Sequence, residues 1–125
     1  MAVQKQDGLH TDSGRSGVDL RGKENRFAAH DNNGDLVVAG AGARIQGVIS
    51  EGKPLGKHSS INTKGNPILR VLAGAAIAKD QRVNSDAEGR AVPGLNNSYG
   101  YARKAVSGAN VMAEIVPELF DADGA

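Results

Sequence analysis

Apolar residues along this chain fall in short runs, each cut off by a turn signal before it could complete a helix. Residues 71–115 read VLAGAAIAKDQRVNSDAEGRAVPGLNNSYGYARKAVSGANVMAEI, with breaks at Ala73-Gly74, Lys79-Asp80, residues 86–89, Pro93-Gly94 and Ser107-Gly108. No stretch holds a 3.6-residue apolar period over three turns, so the pattern predicts short strands joined as hairpins. The same punctuation starts near Arg26. Residues 26–30, the turn Asp31-Asn32-Asn33-Gly34-Asp35 and residues 36–39 predict a strand, a turn and a strand. Asn33-Gly34 favours positive φ at successive positions, as a tight hairpin requires. After a break at Gly40-Ala41-Gly42, residues 43–49 alternate, with Ile45, Gly47 and Ile49 on one face and Arg44, Gln46 and Val48 on the other. Residues 50–58 predict an exposed loop, Lys64-Gly65-Asn66 a turn, and residues 68–72 a strand.

Residues 73–78 are too short for more than a loop or one helical turn, although alanine is the best helix former. A hairpin is expected around residues 84–89, and a second one pairs residues 99–106 with 111–116 across 107–110. On that last strand Ala113 and Ile115 share a face with Val111, and Pro117 ends it. The expected fold class is all-β, a compact β-barrel-like or β-sandwich module of short hairpins.

Three regions follow from the same pattern: an N-terminal arm at 1–25, a β-domain at 26–117 and an acidic C-terminal tail at 118–125. In the first region large apolar residues are sparse, and Lys5, Arg15, Arg21 and Lys23 balance Asp7, Asp12, Asp19 and Glu24. Such a segment reads either as a flexible tail or as an extended arm that orders on a partner. In the second reading Val3, Leu9, Val18 and Leu20 are spaced anchors, and Phe27 lies just beyond them.

Composition narrows the function more than the fold. Leu, Ile, Val and Phe make up about 22% of the 125 residues, a thin core, little above the level of disordered chains. Self-association or a partner is the usual remedy for such a core. With 15 basic and 14 acidic residues, no basic stripe points to nucleic acid. There is no cysteine, hence neither a disulfide nor a thiolate metal site. The first 25 residues lack a signal-peptide apolar region, and no apolar run has the length of a membrane span.

The candidate chemistry is weak at every position. Asp31, Asn33 and Asp35 alternate as at the start of a calcium loop, but Leu36 stands where glycine is needed and Gly42 where a bidentate Glu is needed. Gly56-Lys57 lacks the first glycine and the Ser/Thr of a phosphate-binding loop, because Glu51 and His58 occupy those places. His10, His30 and His58 lie in separate segments without ligand spacing. No G-x-S-x-G elbow occurs. The Asn96-Asn97-Ser98 sequon reads as a loop. No catalytic, cofactor or metal residue is therefore expected, and the chain reads as a non-enzyme.

Residues 71–115 resemble the C-terminal half of small bacteriophage capsid decoration (cement) proteins. The resemblance runs through Val71, Gly74, Ala75 and Ala76; Val83; Ala87, Gly89 and Ala91; Gly100 and Ala102; and Ser107, Gly108, Val111, Ala113 and Ile115. Asp80 replaces the family's usual glycine, and Ser107 its alanine. The resemblance implies a head-stabilising virion protein, made in the host cytoplasm, on the outer capsid surface, with the major capsid protein and its own copies, as a homotrimer, for partners. Val3, Leu9, Val18, Leu20 and Phe27 are then the candidate capsid contacts. A tail or fibre component and a small glycan-binding β-domain are the alternatives.

Overall fold

The computed structural model describes residues 11–118 as ten strands, with no helix among them. Strands β1 (Thr11–Arg15), β2 (Phe27–His30), β3 (Leu36–Val38), β4 (Gly47–Glu51) and β5 (His58–Asn62) form one antiparallel sheet in the order β1-β5-β4-β2-β3. Strands β6 (Leu69–Leu72), β7 (Arg82–Ser85), β8 (Ala91–Pro93), β9 (Gly100–Ala102) and β10 (Met112–Pro117) form a second, in the order β6-β10-β9-β7-β8. Renumbered from their own first strands, the two orders are identical. Each sheet also closes on itself. Ser16, just past β1, bridges Leu36 in parallel, and Ala73, just past β6, bridges Ala91 in parallel. The chain is thus two small five-stranded barrels in tandem.

The repetition extends to single hydrogen bonds. Gly17 N–H donates to Leu36 O and Gly74 N–H to Ala91 O, both at 2.8 Å. Ser16 N–H donates to Lys57 O as Ala73 N–H does to Val111 O. Asn25 N–H reaches Ile49 O as Asp80 N–H reaches Ala102 O, and both residues are left-handed, at φ 66° and 68°. The core is shared out in the same way. Leu20, Ala28, Leu36, Ile49 and Ile61 fill the first barrel. Their counterparts Ile77, Val83, Ala91, Ala102 and Ile115 are buried in the second. Where Leu36 faces Gly14, with 3.0 Å between its Cγ and a Cβ built on the glycine, the second barrel has Ala91 and Val71. Bulk has moved from one wall to the other at similar filling.

The β2–β3 and β7–β8 hairpins both use the turn Asp-x-x-Gly-x. Asp31 Oδ1 accepts from the N–H groups of Asn33 and Asp35 at 2.9 and 3.0 Å, and Asp86 Oδ1 from Glu88 and Arg90 at 2.9 and 2.8 Å. Only the glycine is left-handed, Gly34 at φ 80° and Gly89 at 78°. The expected pair of positive-φ residues at Asn33-Gly34 is therefore corrected. An aspartate holding two N–H groups makes a five-residue turn with one left-handed position the better solution.

Two further expectations are revised. Thr11–Arg15 pairs along its whole length with His58–Asn62, and Leu20 is fully buried, so the chain from Thr11 onward is part of the first barrel. The sequence does not mark this strand, because its side chains are mostly exposed and polar and a backbone ladder holds it in place. Residues 1–10 and 119–125 lie outside the described residues. Ile45 and Ile49 do not share a face. The ladder begins at Gly47, and Val48 faces the second barrel while Ile49 faces the interior of the first.

Candidate interaction surface

The barrels meet along a seam built by β2, the loop after β3, and β4 from the first, and by β6, β7 and the approach to β9 from the second. Phe27 N–H donates to Gly89 O at 2.7 Å, Leu72 N–H to Asn25 O at 2.8 Å and Gly42 N–H to Ser85 O at 2.9 Å. Arg26 Nη1 donates to Glu88 O at 2.9 Å. The rings of Phe27 and Tyr99 pack at 5.6 Å and 60°, an edge-tilted geometry that favours aromatic pairs. Phe27, Ala29, Val48, Leu69, Val71 and Tyr99 belong to one continuous core. This burial holds the two thin barrel cores together as one unit.

A cleft of about 310 Å³ opens at one end of the seam, lined by Arg44, Gln46, Thr63, Lys64 and Tyr99 among others. Lys64 Nζ stands 5.1 Å from the Tyr99 ring centroid, within cation–π reach. Tyr99 is 2% exposed, and its hydroxyl has no hydrogen-bond partner among the described residues. Burial pushes its pKa up, so the phenol stays protonated. Among the described residues that line the cleft there is no carboxylate and no histidine. Among the described residues no three His, Cys, Asp or Glu side chains group as metal ligands.

The sequence-derived contact residues separate sharply. Leu20 and Phe27 are both fully buried, one in the first barrel and one in the seam, so neither can touch a partner while the fold is intact. That part of the expectation is corrected: both are core residues. Val18 is exposed, and Val3 and Leu9 lie outside the described residues. Among the described residues, Leu55, Leu95, Val111 and Met112 are the other exposed large apolar side chains. None of them stood out in the sequence, because a leucine in a polar loop has no period to mark which way it faces. His30 and His58 are exposed on strand ends, and His10 lies outside the described residues. Asp35 of the calcium-like run is instead in an ion pair with Arg15.

No family model and no curated protein sequence matches the chain. Among solved structures, the fold is similar to the head fiber gp8.5 N base in bacteriophage phi29. The TM-score is 0.71 at 18% identity, over 88% of this chain and 94% of that one. The tandem-barrel architecture is therefore shared almost end to end with a protein of very different sequence.

Proposed function

We propose that this chain is a structural protein of a phage virion that binds the outer surface of the assembled head and stabilises it as a homotrimer. The supporting observation is the near-complete overlap in fold with a head-fibre base, reached independently of the decoration-protein resemblance in residues 71–115. The surface suits such a role: the exposed apolar residues among those described are spread over loops and strand ends, where a partner can reach them. A ligand that binds the assembled shell and not free subunits stabilises the shell by mass action, by about 2.7 kcal/mol per site at a hundredfold excess over Kd. Contacts are assigned to Val3 and Leu9 in the N-terminal segment and to the exposed Val18. Because the similar structure is the base of a fibre, a fibre base attached to the head is the second reading.

Purified protein mixed with empty expanded heads and sedimented tests the proposal. Saturable co-sedimentation, with density at threefold positions in electron micrographs, is the expected outcome. Failure to bind expanded heads, or solitary copies without mutual contact, overturns the reading.

A further inference from the structure

The two barrels are copies of one unit, yet they touch through unlike faces. The first presents Asn25, Phe27, Ala29 and Val48; the second receives them with Leu72, Ser85, Gly89 and Tyr99. A joint between unlike faces of a repeated unit leaves one of each face unused at the two ends. Here the unused presenting face belongs to the second barrel, and the unused receiving face to the first.

On the second barrel the positions matching Asn25, Phe27 and Val48 are Asp80, Arg82 and Tyr101, as their pairings in each sheet show. With Glu118, these three residues line an open depression of about 420 Å³. The Asn25 carbonyl binds Leu72 N–H across the seam, whereas the Asp80 carbonyl accepts no hydrogen bond among the described residues. The loop after β3 rests on the second barrel through Gly42. The matching loop after β8 carries Leu95, which at 66% is the most exposed large apolar side chain described. On the first barrel, the receiving turn is preserved in shape. Gly34 repeats the φ and bonding of Gly89, but its carbonyl, unlike that of Gly89, accepts nothing among the described residues.

We propose that copies of this chain join head to tail. The Arg82, Tyr101 and Leu95 face of one second barrel seats on the Asp31-Asn32-Asn33-Gly34-Asp35 turn of the next copy's first barrel, repeating the internal seam. Joints of this type close into rings or run on as filaments, and the ring size follows from the angle of the seam. The inference stands on the equivalence of the two barrels and does not rest on binding to a head.

Sedimentation velocity of the full chain over a wide concentration series, without heads, tests it. Concentration-dependent association is expected. Leu95→Lys combined with Tyr101→Lys weakens it at least about tenfold, since apolar and aromatic anchors at an interface centre dominate binding. Leu55, nearly as exposed at 62%, lies outside both faces, and Leu55→Lys leaves association unchanged. A covalent trap gives a second measurement, free of background because the chain has no cysteine. A Cβ on Gly89 would lie 3.3 Å from Arg26 Cβ across the seam, close to disulfide range. The matching pair is Gly34→Cys with Gln81→Cys, which should link different chains on oxidation. A monomer at every concentration overturns the proposal, as does an equal loss with Leu55→Lys. Linking no greater in the double variant than with Gln81→Cys alone overturns it too.

Discussion

Replacing Leu20 by Ala separates a packed barrel from an arm more cleanly than any other single change. Leu20 is fully buried among Ala28, Leu36, Ile49 and Ile61. Its N–H donates to Lys53 O at 2.9 Å, and its carbonyl accepts from Lys23 N–H at 3.1 Å. Both bonds pin the backbone, and the sheet is closed around the side chain, so the walls cannot collapse into the space left behind. Buried Leu→Ala changes with poor relaxation cost about 4 kcal/mol. At roughly 4 °C per kcal/mol for a chain of this size, the midpoint should fall by about 16 °C. Thermal and urea unfolding followed by circular dichroism measure both values. Val18→Ala, two residues away and 44% exposed, should stay within about 0.5 kcal/mol of the parent. Removing residues 2–22 deletes β1 as well as Leu20, so the first barrel should lose its cooperative transition. If Leu20→Ala unfolds like Val18→Ala, or the truncated chain keeps the parent's transition, the first barrel does not include this segment.

Gly100→Ala should destabilise by about 2 kcal/mol through overpacking. The added Cβ would stand 2.1 Å from Val116 O and 2.8 Å from Pro117 Cα, both backbone atoms of the paired strand. Gly108→Ala, with open space around it, should be neutral or slightly stabilising, and equal effects at the two sites would refute the packing argument. Glu24 yields an acid-side prediction. Gly52 N–H donates to its Oε2 at 2.9 Å and holds its pKa below the ordinary carboxylate value. The folded state therefore binds that proton less readily than the unfolded chain. The contribution is complete above the unfolded pKa and disappears as pH falls through the folded one. Glu24→Gln should flatten this part of the acid limb in a pH series of urea midpoints, and an unchanged slope would exclude the contribution.

The strands that alternate or sit beside turn residues were legible from the sequence. The Asp31 and Asp86 turns, the pairing of Ala102 with Ile115, and the burial of Ala113 and Ile115 all follow from local pattern. What was not legible depends on long-range pairing. Thr11–Arg15 carries no apolar alternation, since its neighbour β5 and not its own side chains makes it a strand. Phe27 read as a possible surface aromatic, because nothing local reveals that the second barrel covers it. The exposed apolar set was hidden for the converse reason. Leu55 and Leu95 sit in loops, where sequence spacing says nothing about direction.

The duplication itself escaped the sequence because the two copies preserve geometry and not residue type. Matched positions keep backbone roles: a left-handed residue at Asn25 and Asp80, and another at Gly56 and Asn110. A glycine recurs where Gly47 and Gly100 approach the next strand's carbonyl. Side chains at matched positions diverge according to what covers them. Phe27 and Val48 face the other barrel and are apolar, whereas Arg82 and Tyr101, at the same places, face outward. A side chain at a barrel wall is chosen by its neighbour across the space, which need not be the same in both copies, as the exchange of Gly14 and Leu36 for Val71 and Ala91 illustrates. Backbone conformation is chosen by the barrel's own closure, which is the same in both. Divergence at matched outer positions therefore maps where the two barrels experience different surroundings. By that measure the Arg82 and Tyr101 face is one where the second barrel departs from the first, and where substitutions should alter assembly without altering the fold.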